Sequence, residues 1–172
     1  MKYGKAKCFW AVAIFIVTAA AWAQTAKEPV PAPAPAQVAT AHKVFVSNGG
    51  GEIFETGVDQ RALDGGPDRS YNEFYADLKS WGHFQLVSAP SDADLVLQIS
   101  CKLTDTGVER QTVGRLKLLI IDPKTNVRLW TITEFVRGAM LLGNRDKNFD
   151  QAMSVVVNRL KALSIEPTAP KS

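Results

Sequence analysis

Cysteine and histidine are almost missing, with two of each among 172 residues. Cys8 lies in an apolar run near the N-terminus, which leaves Cys101 alone further on, so no disulfide can form within the body of the chain. His42 and His83 have no cysteine partners at metal-ligand spacing, which excludes a zinc centre of the usual kind. No GxxxxGK[ST] or GxGxxG run marks a nucleotide site, no GxSxG marks a hydrolase nucleophile, and no cofactor is expected. Clustered Lys/Arg runs are also absent. The chain carries 20 basic and 17 acidic residues, but Lys2, Lys5 and Lys7 fall in the first 23 positions, and without them 17 basic residues face 17 acidic ones. A nucleic-acid partner, which needs a basic footprint, is therefore not expected.

The N-terminus explains the surplus of lysine. Three lysines precede an apolar run, and Ala21-Trp22-Ala23 has the small-x-small form of a signal-peptidase site. The run Cys8 to Ala23 falls short of the ~20 residues of a membrane span. Residues 1–23 are expected to be a cleaved signal peptide, giving a secreted or periplasmic protein with no stable membrane span. An uncleaved anchor is the alternative. Residues 24–42, with Pro29, Pro31, Pro33 and Pro35, read as an extended Pro/Ala-rich tether. Residues 43–165 form one domain and 166–172 a flexible tail.

Hydrophobic periodicity orders the elements of the domain. Lys43 to Ser47 reads as a strand. Ser70-Tyr71-Asn72-Glu73 reads as a capping box opening a helix whose apolar face carries Tyr71, Phe74, Tyr75, Leu78 and Trp81, ended by Gly82. Phe84 to Ser88 is a second strand. In Asp94 to Leu103 the residues Leu95, Leu97, Ile99, Cys101 and Leu103 alternate with polar ones, as in a strand with one wet face. Arg115 to Asp122 and Val127 to Val136 form a hairpin around Pro123-Lys124-Thr125-Asn126. A helix from about Phe149 to Leu163, capped by Asn148, closes the chain. The expected fold is α+β: a mixed, mostly antiparallel sheet of about five strands with two main helices on one face, in the order β-α-β-β-β-β-α.

The stretches FQLVSAPSDADLVLQI (84–99), LKLLIIDPKTNVRLW (116–130) and FDQAMSVVVNRLKAL (149–163) resemble small bacterial secreted and envelope α/β domains, typified by the curli-secretion lipoprotein and a related secreted family of unknown function. That resemblance implies a non-enzymatic role in envelope assembly or binding. The lipid-anchor cysteine common in that group is absent, since Gln24 follows Ala23.

Two segments are candidate sites. The first is the long connection from Asn48 to Arg69, which opens on Gly49, Gly50 and Gly51 and contains a second turn at Asp64-Gly65-Gly66-Pro67. No helix follows the glycines directly, so a phosphate loop is disfavoured. The segment reads either as a mobile surface loop or as a binding loop over the sheet end, with Arg61 and Arg69 as polar contacts. The second is Gly138 to Gly143, where Met140, Leu141 and Leu142, followed by Arg145, form either an exposed partner contact or a cover tucked against the core. Counting strand reversals puts the two candidates at opposite ends of the sheet. Cys101 is expected to be a buried structural thiol and Asp92 and Asp94 a solvated pair. The function expected is non-catalytic binding of an envelope or secreted protein, through the loops or an exposed sheet edge. The alternatives are a small-ligand or polysaccharide binder using Tyr71, Tyr75, Trp81 or Trp130, and a small secreted hydrolase.

Overall fold

The computed structural model describes residues 33–54, 65–105, 112–139 and 141–165; the expected signal segment, the first part of the expected tether, Arg61, Met140 and the expected C-terminal tail lie outside them. Five strands form one mixed sheet in the order β2-β1-β3-β4-β5. They are β1 (Lys43–Phe54), β2 (Gln85–Leu86), β3 (Leu95–Asp105), β4 (Thr112–Ile121) and β5 (Arg128–Val136). Two long helices, α2 (Arg69–Trp81) and α3 (Leu142–Ser164), pack on the sheet. The order β-α-β-β-β-β-α matches the sequence reading.

One addition precedes it. The short helix α1 (Ala36–Thr40) begins where the prolines stop, and it seats Val38 fully in the core with Ala41 beside it. The expected tether is thus folded over its last residues. Proline fixes the approach, but Ala-Gln-Val-Ala has no such constraint and can bury its apolar side chain.

β1 runs parallel to both β2 and β3, while β3-β4 and β4-β5 are antiparallel. Period-two alternation sends Val44, Val46, Leu95, Leu97, Ile99, Cys101, Leu116, Leu118, Ile120, Ile132 and Val136 to the helix-covered face. On α2, Ser70, Phe74 and Leu78 recur every four residues and are buried. On α3, Phe149, Ala152, Met153, Val156, Val157 and Leu160 make the matching stripe. The β4-β5 hairpin turns through Asn126 at φ 56°, and Gly82 ends α2 at φ 68°, both in the left-handed region as expected.

Three local readings are corrected. β1 does not stop at Ser47 but continues to Phe54, so Gly49, Gly50 and Gly51 lie in the strand, at a register shift between Asn48 and Gly51. Gly50 takes φ 79°, and a Cβ on Gly49 would stand 2.9 Å from the Ile99 carbonyl oxygen, so the glycines serve the bulge. Secondly, Ser70 does not cap α2: its hydroxyl is buried without a hydrogen-bond partner, Asp68 stands at the N-cap, and Glu73 binds Arg69 instead. Thirdly, α3 starts seven residues before Phe149, with Leu141 at its N-cap, and the Asn148 side chain donates to the Arg137 carbonyl rather than capping the helix. Among the described residues no helix is long and apolar enough to cross a membrane.

Candidate functional site

The two segments singled out in the sequence meet at one end of the sheet, contrary to the strand count. Because β1 is parallel to β3, its C-terminal end lies beside the end of β3, the start of β4 and the end of β5. The starts of α2 and α3 join them there. An all-antiparallel count reverses β1 once too often, which is the source of the error.

Arg69 is the centre of this end. It opens α2, and its side chain is 10% exposed. Nε donates to Glu73 at 2.6 Å, Nη2 to Asp150 at 2.7 Å, and Nη1 to Asp146. The guanidinium carbon also lies 4.5 Å from the Phe149 ring centroid. Burial opposes the charge of Arg69, but its hydrogen bonds to Glu73 and Asp146, with the attraction of both carboxylates, outweigh it and its pKa is raised. Glu73 is shifted upward as well: burial dominates, the nearby Asp150 and Asp77 add repulsion, and Arg69 opposes them. Three carboxylates around one guanidinium make an electronegative cluster, unsuited to phosphate. A cleft of about 370 Å³ beside it is lined by Gly65, Arg69, Asn72, Glu73 and Asp146.

Asn48 belongs to the same end. Its side-chain oxygen accepts from the Gly50 amide at 2.9 Å, holding the bulge, and its Nδ2 donates to Asp68 at 2.7 Å, tying β1 to the α2 N-cap. Next to this framework the start of α3 presents Leu141, 68% exposed, and Leu142, 43% exposed. These two residues do not tuck against the core. Arg145 is half-buried, and its Nε is enclosed without a hydrogen-bond partner.

Elsewhere the chemistry is sparse. Cys101 sits on the core face, where burial pushes its thiol up to about 12, partly opposed by Arg69, so the thiolate needed for nucleophilic attack is suppressed. Asp92 and Asp94 are both exposed, as expected of a solvated pair, and Asp94 has a structural role besides. It accepts from the His42 and Lys43 amides at 2.9 and 2.8 Å, fixing the start of β1 to the start of β3. His83 stacks on Trp81 with ring centroids 4.7 Å apart, and Phe84 packs edge-on to both. Among the described residues no group of three His, Cys, Asp or Glu is arranged to hold a metal ion.

The expected sheet edge and the candidate Trp130 come together on one surface, a link the sequence did not show. Beside the edge strand β5, Trp130, Ile132, Arg159, Ala162 and Leu163 line an open groove of about 540 Å³. Trp130 was a visible signal, but its place beside a free edge depends on strand order, which periodicity does not encode.

No family model matches the chain, and no curated protein does. Solved structures similar to it include the PelC dodecamer from Paraburkholderia phytofirmans, with 17% identity over 79% of this chain and 96% of that one and a TM-score of 0.46. Lipoprotein GNA1162 from Neisseria meningitidis is similar at 17% identity over 70% and 96% of the two chains, with a TM-score of 0.42. The C-terminal domain of LpoB from Salmonella enterica matches at 14% identity over 56% and 82%, with a TM-score of 0.39.

Proposed function

We propose that this chain is a non-catalytic binding domain of the secreted or periplasmic compartment, and that it meets a protein partner through the apolar start of α3. The observation that carries this reading is the exposure of Leu141 and Leu142 on a rigid base. Two adjacent leucines partly left in water cost free energy that burial against a partner would recover, roughly 2 kcal/mol for the pair, since Leu142 is already more than half covered. The Arg69 contacts to Asp146 and Asp150 hold the next two turns of α3 to α2, which limits the ordering entropy that opposes docking at its start. The signal-like N-terminus supports the compartment, and the bulge held by Asn48 lies at the same end of the sheet as a second, polar element.

The test places a photo-crosslinking amino acid at Leu142 of the exported protein, and in a second protein at Ser91, in the turn at the opposite end of the sheet. A discrete heavier species is expected from the first position alone, and its loss on Leu141→Asp. The same adducts from both positions, or none from Leu142, would overturn the reading.

A further inference from the structure

β5 is the last strand of the sheet, nine residues long and without proline. In an antiparallel ladder, alternate residues of an edge strand turn their main-chain N–H and C=O away from the neighbour. Arg159 of α3 donates to the Thr133 carbonyl at 3.1 Å, which identifies Thr133 as one of the outward residues. Thr131 and Phe135 share its parity in the unbroken part of the β4-β5 register. An edge of this kind is normally blunted by lysine, proline or a covering element. Here a single guanidinium stands where the amide of a sixth strand would stand. Arg159 also pairs with Glu134 at 3.1 Å and is more than half exposed.

The groove lined by Trp130, Ile132, Ala162 and Leu163 runs along this edge, between β5 and α3. A strand added to β5 would point every second side chain into it. A second copy of this chain pairing through its own β5 would keep its core-side residues Ile132 and Val136 in its own core, so those side chains could not enter the groove. The occupant must have free side chains on both faces of its strand.

We infer that the β5-α3 edge receives an extended peptide segment of a partner protein as a sixth strand, with an apolar side chain in the Trp130-Leu163 groove and an acidic one two positions away for Arg159. This goes beyond the α3-start contact and uses a different surface. The incoming amide takes the Thr133 carbonyl, and Arg159 turns to the peptide carboxylate. Main-chain hydrogen bonds supply affinity, and the groove supplies the side-chain preference.

A phage-displayed library of random peptides about eight residues long, panned on the full exported protein, tests this. Enriched sequences should alternate β-branched or apolar residues with polar ones and include an acid. A synthetic peptide from that pool should slow hydrogen exchange at the amides of Thr131, Thr133 and Phe135. Thr131→Pro removes an outward donor without touching the β4-β5 ladder and should weaken binding by roughly tenfold or more. Ala162→Trp fills the groove from an exposed helix position, leaves the edge intact, and should do the same. Leu141→Asp should bind the peptide as the wild type does, so loss of the Leu142 crosslink and loss of peptide binding are separate results. No enrichment, protection away from β5, binding indifferent to Ala162→Trp, or concentration-dependent protection of the β5 edge without peptide, as self-pairing would give, each overturns the inference.

Discussion

Arg69 and Asp146 stand 77 positions apart in sequence and share a hydrogen bond that fastens the start of α2 to the start of α3. With Glu73 and Asp150 it forms a clasp in which one guanidinium neutralises part of a three-carboxylate cluster. Replacing Arg69 by methionine leaves those carboxylates to repel one another. Stability should fall by about 3 kcal/mol, less than for a fully buried pair because Asp150 is largely exposed. Arg69→Lys should recover only part of this, since an ammonium cannot match the planar fork. Urea unfolding measures both, and a loss under ~0.5 kcal/mol for Arg69→Met would show that the clasp is not needed for folding.

Cys101 should behave as an inert thiol. With its pKa pushed up to about 12 by burial, Cys101 in native protein lacking residues 1–23, and with them Cys8, should not react with maleimide at pH 8 over minutes, whereas after unfolding in urea it should react at once. Native-state labelling at the unfolded rate would contradict the burial of β3.

The acid limb of stability should depend on Asp94 and Asp122. Asp94 is held below the usual carboxylate range by the Lys43 and His42 amides, and Asp122 by the Lys124 amide and the Thr125 hydroxyl. A carboxylate with a lowered folded pKa contributes fully above its unfolded value, near 4, and that contribution is lost as pH falls through the folded pKa. Urea midpoints should therefore hold steady from pH 7 to about 5 and drop below about 4. Asp94→Asn should be less stable at neutral pH and show a shallower drop. Glu73 has the opposite sign: its raised pKa makes its charge unfavourable, and protonation relieves that cost as pH falls.

Two glycines should respond in opposite directions to alanine. Gly49→Ala puts a Cβ against the Ile99 carbonyl and the Ser100 Cβ, both within about 3.0 Å, and should cost about 1–3 kcal/mol. Gly143 lies in the first turn of α3 with nothing within 4 Å, so Gly143→Ala should stabilise by about 0.5 kcal/mol. Thermal unfolding of the two variants checks both signs.

Much of the architecture was readable from side-chain rhythm. The alternation from Leu95 to Cys101, the Pro123-Asn126 turn and Gly82 each encode local geometry through one dominant effect, and each stands where that effect puts it. The start of α2 was harder to place because Ser70 satisfies a capping pattern while also occupying a core-facing position, and burial prevailed. The start of α3 was hidden by Gly143 and by an apolar N-cap, Leu141, neither of which signals a helix. The relation between the two candidate segments was not legible at all. It depends on β1 pairing parallel to β3, a long-range choice that local periodicity leaves open. The groove beside β5 was hidden for the same reason, since a strand's sequence does not say that it lies at the margin.

Val38 has a mechanical consequence. It sits fully enclosed just ahead of β1, so tension arriving from the upstream chain meets a side-chain plug before it meets the first strand. Behind that plug, β1 is flanked by two parallel neighbours and would be pulled along its length, with its hydrogen bonds strained together rather than unzipped one at a time. Wherever the N-terminus is held, the domain is seated to withstand drag from that side.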